Sequence, residues 1–194
     1  MARSDVRDDA EAQELDRLAS RLHPGRNRAE VLRRLNEVFR SGAAPDPPPS
    51  GFVAGRLVAT STWGPWDSLV QRLAGLWMPW LGKSFDTGSK RGINRFLATA
   101  GTRLLLRLLF PTHTPAEMGM EGIEAFPFRT SVGLGELDPE ASVLKIDYDF
   151  AANPALIRRI LDELVEVAPG LYLGKVLLRF GARYRQVGFF SLRA

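Results

Sequence analysis

The chain has 194 residues, is 45% hydrophobic and carries a formal net charge of +4. That length accommodates one domain with a full core and some decoration, and excludes two full domains. It has no cysteine, which rules out disulfides, thiolate metal sites and a cysteine nucleophile. The two histidines, His23 and His113, sit in no ligand-spaced motif, so neither a metal nor another cofactor is expected. Arginines are interspersed with Asp and Glu and form no block of like charge, which argues against nucleic acid as a partner. Met1 to Asp9 is charged and lacks the apolar run of a signal peptide. The longest apolar stretch, Phe96 to Phe110, contains Arg103 and Arg107 and is too short to span a bilayer. A cytoplasmic location is therefore expected.

In chain order, Asp8 to Leu22 reads as a helix, with Leu15, Leu18, Ala19 and Leu22 at helical spacing and His23-Pro24-Gly25 ending it. A second helix is predicted from Arg28 to Arg40, capped by Asn27 with Glu30 three residues on, its apolar stripe being Val31, Leu32, Leu35, Val38 and Phe39. Residues 1–42 thus form an N-terminal helical hairpin. Residues 43–50, with Pro45-Asp46-Pro47-Pro48-Pro49, read as a stiff linker. The remainder, 51–194, is the barrel-like part.

Phe52 to Thr60 is its first predicted strand, ending in the turn Ser61-Thr62-Trp63-Gly64-Pro65. Trp66 to Leu76 has helical spacing. Trp80 to Asp86 and Gly92 to Phe96 read as a hairpin, whereas Leu97 to Phe110 carries competing helix and strand signals, with Leu97, Ala100, Gly101, Leu104, Leu105, Leu108 and Leu109 fitting a helix face. Phe126, Phe128, Thr130, Val132 and Leu134 alternate with Arg129, Ser131 and Gly133, the pattern of a half-buried strand. Val143 to Phe150 returns from the Asp138-Pro139-Glu140 turn, with Leu144, Ile146, Tyr148 and Phe150 on one face and Lys145, Asp147 and Asp149 on the other. Asn153-Pro154 reads as a helix start, with Leu156, Ile157, Ile160, Leu161 and Leu164 as its buried face. On that helix Asp162 and Glu163 would pair with Arg158 and Arg159 at the surface. Leu171 to Arg179 and Tyr184 to Arg193 form the last hairpin. About seven strands, mostly in hairpins, predict a mainly β, α+β fold: an antiparallel barrel or strongly curled sheet.

Gly75-Leu76-Trp77 resembles the Gly-x-Trp signature that opens the barrel in calycins, the lipocalin and fatty-acid-binding superfamily. The resemblance implies that Trp77 closes one barrel end beneath an arginine, for which Arg179, Arg185 and Arg193 are the candidates. Trp80-Leu81-Gly82-Lys83-Ser84-Phe85-Asp86 is similar to a block found in uncharacterised bacterial proteins. On this reading the barrel interior is apolar, built from Phe126, Phe128, Leu144, Ile146, Tyr148, Leu173 and Phe189 or Phe190, under Trp77 and Trp80. The expected partner is a hydrophobic or amphipathic small molecule, such as a lipid, isoprenoid, polyketide or porphyrin. The candidate ligand-binding residues are Trp77, Trp80, Phe126, Phe128, Arg129, Ile146, Tyr148, Tyr172 and Phe190.

Two rival readings stay open. One is a cofactor-independent isomerase or cyclase using Lys145, Asp147 and Tyr148 for proton transfer, which requires that polar strand face to point inward. The other is a module that docks on a membrane surface or a protein through the N-terminal helices or the 97–110 helix.

Overall fold

The computed structural model describes residues 28–60, 80–111, 115–117 and 122–194. The elements run α1 (Arg28–Ser41), β1 (Gly51–Thr60), β2 (Trp80–Asp86), β3 (Arg91–Phe96), α2 (Ala100–Leu109), β4 (Ala116–Glu117), β5 (Ile123–Leu134), β6 (Ser142–Asp147), a 3-10 turn (Ile157–Arg159), β7 (Ile160–Ala168), β8 (Leu171–Phe180) and β9 (Arg183–Arg193). The predicted helices 8–22 and 66–76, the turn at 61–65 and the Gly75-Leu76-Trp77 signature lie outside the described residues.

All strand pairings are antiparallel. β1 pairs with both β2 and β9, and β3 meets β5 through Arg91↔Arg129 and Phe96↔Ile123. Eight strands therefore close into a barrel, with the two-residue β4 added to β5. A barrel of this size has an interior that side chains fill or that holds one small ligand.

Alternation sorts the core into two. Val53, Phe85, Phe128, Leu144, Ile146, Tyr148, Leu164, Tyr172, Val176 and Phe190 belong to the cluster inside the barrel. Val58, Val143, Val165, Leu171, Leu173 and Phe189 belong to a second cluster on its outer face. There α1 covers them with Val31, Leu35 and Phe39, spaced four residues apart on one side of the helix. Leu173 thus sits outside the barrel, not in its interior as the sequence pattern suggested, and of the alternatives Phe189 and Phe190 it is Phe190 that faces inward. The proline-rich stretch runs against the same surface: Ala43 pairs with Glu166, and Pro45 and Pro49 are buried.

The segment expected to be a helix from Asn153 is a strand. Asn153 does not cap a helix; its Nδ2 donates to the carbonyls of Pro127 and Tyr148, each at 2.8 Å. A single 3-10 turn follows, and β7 then runs in register with β6 and β8. Six successive residues, Ile160 to Val165, are buried because the barrel interior covers one face and α1 with the 135–141 loop covers the other. A strand covered on both faces shows no period of two, and its apolar run then mimics a buried helix.

Two other expectations change. The helix α2 forms, with Thr99 capping the Thr102 N–H at 3.0 Å, but it buries Thr102, Leu106 and Phe110 and leaves Leu97, Leu104 and Leu108 exposed. Phe110 packs edge-on against Phe126, with centroids 5.2 Å apart, which seats α2 over the barrel end where β3 finishes and β5 begins. On β5 the alternation holds at Phe128, whereas Val132 and Leu134 are exposed at the far end of the strand.

Leu35 is completely buried between α1 and the barrel wall. Leu35→Ala is expected to destabilise the protein by about 2–5 kcal/mol, the range for a leucine truncated in a close-packed core. Urea denaturation followed by far-UV circular dichroism measures it.

Candidate functional site

The barrel interior is not purely apolar. Lys83 points in from β2, Asn94 from β3, Tyr148 from the end of β6 and Asp162 from β7, and all four are buried. Lys83 Nζ donates to Asn94 Oδ1 at 3.0 Å, to Asp162 Oδ2 at 2.9 Å and to Tyr148 Oη. Tyr148 in turn donates to Asp162 Oδ2 at 3.0 Å. Asn94 Oδ1 also accepts from the Trp80 indole at 3.2 Å, and its Nδ2 donates to the Phe126 carbonyl at 3.1 Å and to Tyr148 Oη at 3.2 Å.

Local backbone features bring these groups together. Between Gly92↔Phe128 and Asn94↔Ala125 the register shifts, so that two residues of β5, Phe126 and Pro127, face one of β3. Phe126 takes the left-handed conformation, with φ at 59°, which costs a non-glycine residue about 1–2 kcal/mol. The bulge turns its carbonyl to the Asn94 amide. On β2, Gly82 has φ at 147°, and a Cβ there would lie 2.1 Å from the Val53 carbonyl oxygen. Only glycine allows β2 this close to β1 between Trp80 and Lys83. On β8, a Cβ on Gly174 would meet the Phe190 ring at 2.1 Å, so glycine makes the room that the inward-facing Phe190 ring occupies.

Aromatic rings surround the ammonium. Lys83 Nζ is between 5.0 and 5.4 Å from the ring centroids of Trp80, Phe128, Tyr148 and Phe190, within cation–π range. Burial pushes the Lys83 amine below its ordinary pKa, and Asp162 opposes that shift. Burial, reinforced by the Asp162 charge, pushes the Tyr148 phenol well above its usual value, so it stays protonated and donates.

A partly open cavity of about 40 Å³ adjoins the network, lined by Trp80, Lys83, Asn94, Phe96, Phe126, Tyr148, Ile157, Ile160, Asp162 and Phe190. A larger hollow of about 480 Å³ lies at the opposite end of the barrel, between Pro48, Pro49, the 86–91 turn and Thr130 to Val132. Its charged residues, Asp86, Lys90 and Arg91, belong to the turn and its flanks, and Asp86 is bonded within that turn to Ser89 and Gly88. Only the first cavity is lined by buried charges.

Of the residues singled out from the sequence, Trp80, Phe126, Tyr148 and Phe190 line the cavity. Phe128 packs on Lys83 and Tyr148, and Ile146 and Tyr172 are interior wall. Trp77 lies outside the described residues. Arg129 is on the outer face, bonded to Asp147 at 3.2 Å and to the Asp149 carbonyl at 2.9 Å. Lys145 and Asp147 also point outward, Lys145 pairing with Glu136 at 2.7 Å. Neither reaches the cavity that Tyr148 lines, so the trio Lys145, Asp147 and Tyr148 does not form one site. Arg179, Arg185 and Arg193 lie on the outer strand faces or at strand ends, Arg179 within 4.0 Å of Asp149.

Sequence reasoning missed Lys83, Asn94 and Asp162 as a set, and it placed Asp162 and Glu163 on a solvated helix. Both are in fact buried, on opposite faces of β7. Glu163 faces outward under the 135–141 loop, where Oε1 accepts from the Glu136 N–H at 2.6 Å. Beside it Asp138 receives Lys175 Nζ and, at 2.7 Å, Arg40 Nε of α1. Burial pushes the Asp138 carboxyl up, but the bonds from Lys175 and Arg40 outweigh it and hold the group below its ordinary value. Glu163 shows the reverse: burial dominates and raises it above its ordinary 4.5.

Among the described residues no group of three or more His, Cys, Asp or Glu is placed to hold a metal ion, and no helix is long and apolar enough to cross a membrane. The chain matches no protein-family model and no curated protein. A solved structure, of a protein from Thermomonospora curvata, is similar over 91% of this chain and 97% of its own, at 16% identity and a TM-score of 0.44. A likeness that loose carries no functional argument, and the barrel assignment stands on the strand pairing itself.

Two predictions follow from the buried charges. Lys83→Met leaves the Asp162 carboxylate without its counter-charge, held by Tyr148 alone, and is expected to cost about 3–5 kcal/mol, as for other buried pairs broken on one side. Lys83→Met/Asp162→Asn removes that charge and is expected to regain part of the loss, which urea denaturation of the two single variants and the double variant resolves. For Glu163, a folded pKa raised above the unfolded one means that the group favours folding most below about pH 4.5 and loses that contribution as pH rises through the folded value. Glu163→Gln, which cannot ionise, should therefore gain stability relative to the parent between pH 4 and pH 8, read as midpoint shifts across that range (roughly the span in which a buried glutamate titrates).

Proposed function

We propose that this barrel binds a small amphipathic molecule, in the manner of the calycins that its Gly75-Leu76-Trp77 segment resembles. The polar head sits at the Lys83–Asn94–Tyr148–Asp162 network, and the apolar part lies against Trp80, Phe126, Ile157, Ile160 and Phe190. The observation that carries this reading is a buried charge network on the inner wall of a barrel, bordering an aromatic-lined cavity. A hydrophobic core packed only for stability has no need of a lysine and an aspartate, because an apolar pair of similar volume is commonly as stable. An apolar cavity with a few convergent polar groups is the usual form of a small-molecule site.

The size of the cavity narrows the ligand. About 40 Å³ corresponds to some three water positions at about 10–15 Å³ each. It accepts a head group, and the rest of the molecule leaves through the open side. Chain-like ligands such as lipids, isoprenoids or linear polyketides suit that shape better than a porphyrin, whose rigid macrocycle would require the aromatic core to part.

A second reading, an isomerase or cyclase acting on such a ligand, draws on the same buried groups. Its proton-transfer residues would be Tyr148 and Asp162, with Lys83 as their electrostatic partner. Turnover of a bound ligand, followed by mass spectrometry over hours, separates the enzyme from the carrier.

Native mass spectrometry of freshly purified protein, alone and with medium- and long-chain lipophiles, tests the binding reading. Retention of one molecule per chain is expected, and absence of any adduct across the panel would overturn it. Ile157→Phe, which places a ring at the edge of the cavity, is expected to lower affinity by about tenfold or more while the fold is kept.

A further inference from the structure

The hydrogen-bonding capacity of the interior network can be counted group by group. The Lys83 ammonium has three hydrogens, and Asn94, Tyr148 and Asp162 take all of them. The Tyr148 hydroxyl gives its one hydrogen to Asp162 and accepts from Lys83 and Asn94. The Asn94 carbonyl accepts from Lys83 and Trp80, and its amide donates to the Phe126 carbonyl and to Tyr148. Each of these groups is filled.

Asp162 is the exception. Its Oδ2 accepts from both Lys83 and Tyr148, whereas its Oδ1 is buried and has no partner. Ser84 Oγ, Asn153 Oδ1 and Glu163 Oε2 are also buried and unpaired, but none of those residues lines this cavity, and Asp162 does. Leaving a buried polar atom unmatched costs about 1–3 kcal/mol, more for a charged group. The carboxylate torsion of an aspartate is soft, so a small turn presents Oδ1 to a group in the cavity.

We infer that the site takes a neutral ligand whose head is a hydrogen-bond donor, a primary or secondary alcohol, with Asp162 as the residue that selects it. This rests on the binding reading above and specifies its ligand class. The remaining capacity of the network is an acceptor, so a ligand that offers only acceptors, such as an ether, ester or ketone, finds no partner. A carboxylate fares worse. The Lys83 charge is already matched by Asp162, so an incoming anion meets a second carboxylate with no spare ammonium hydrogen, and like charges at that distance do not both stay ionised. The donor preference therefore separates a long-chain or isoprenoid alcohol from the corresponding acid on one atom of the head group.

The test uses three probes built on a ten-carbon chain: decanol, decyl methyl ether and decanoate. Affinities for the intact protein at pH 8 (above the usual range of a carboxylic acid, ~4–5) come from competition with a bound lipophilic dye, checked by native mass spectrometry. Decanol should bind about tenfold or more tightly than the ether, the loss set by one unpaired buried acceptor, and decanoate should bind more weakly still. Decanoate should tighten as pH falls and its carboxyl gains a proton to donate. Asp162→Asn, which places an amide where the acceptor was, should erase the preference for alcohol over ether. If that variant does not fold, the comparison of decanol with the ether on the parent protein decides the matter alone. Equal binding of alcohol and ether, or stronger binding of decanoate, would overturn the donor assignment while leaving the binding reading in place. Failure of all three probes, with no adduct from the wider lipophile panel, would remove the binding reading and the assignment with it.

Discussion

Eight antiparallel strands form a closed surface only if the two ends of the meander meet, and here Arg91 to Phe96 of β3 meets Ile123 to Arg129 of β5. The rest of the molecule depends on that junction. It removes both edges of the sheet, and it separates an inside from an outside that a single curled sheet would not have. It also carries the irregularity from which the polar network grows. The extra residue in β5 leaves Phe126 in a left-handed conformation and aims its carbonyl at Asn94, which fixes one end of a chain of hydrogen bonds running to Lys83, Tyr148 and Asp162. Strain in the strand and order in the network are thus coupled, an arrangement that recurs where backbone irregularities position functional groups.

Closure also decides how charge is buried. On β7 adjacent residues point to opposite faces, so Asp162 enters the barrel and Glu163 lies outside it. In an ordinary barrel the second of these would be solvated. Here α1 and the 135–141 loop cover that face, and the described residues hold two buried ion pairs back to back, Lys83 with Asp162 within and Lys175 with Asp138 without, the latter joined from the surface by Arg40. Among the described residues both buried cations are lysines, although only four of the chain's 26 basic residues are. A compact ammonium with three rotatable donors fits among aromatic rings where a planar guanidinium does not. The inner cluster borders a cavity, whereas the outer one ties helix, loop and barrel together, so the inner carries the functional argument and the outer the structural one.

Much of the fold was legible in the sequence. Helix α1, the Trp80–Phe96 hairpin, β6 with its polar and apolar faces, and the final hairpin all follow from local periodicity and turn chemistry. The errors share a cause. The segment from Asn153 to Ala168 combines a proline-led start with leucine and isoleucine at helical spacing, and nothing local reveals that both its faces are covered. The helix α2 turns Thr102, Leu106 and Phe110 to the core because Phe126 waits there, not because of its own pattern. Of the site, the aromatic members were visible as apolar residues in strands, whereas Lys83 was one lysine in the block from Trp80 to Asp86 and Asn94 one polar residue in a short strand.

By itself the amino-acid sequence determined the fold class, a mainly antiparallel sheet of hairpins that must curl, and left open whether the curl closes; the β3–β5 pairing decides that it does. It also determined that cysteine chemistry and disulfides play no part, because cysteine is absent. Which residues meet was decided by tertiary structure alone. Lys83, Asn94, Tyr148 and Asp162 come from four strands and span 79 residues from Lys83 to Asp162. Their convergence depends on barrel closure, on the bulge at Phe126 and on the faces that β6 and β7 turn inward. Local propensity specifies the alternation of a strand but not which side becomes the interior, and a single step of register would have sent Lys145 and Asp147 inside and left Tyr148 in solvent.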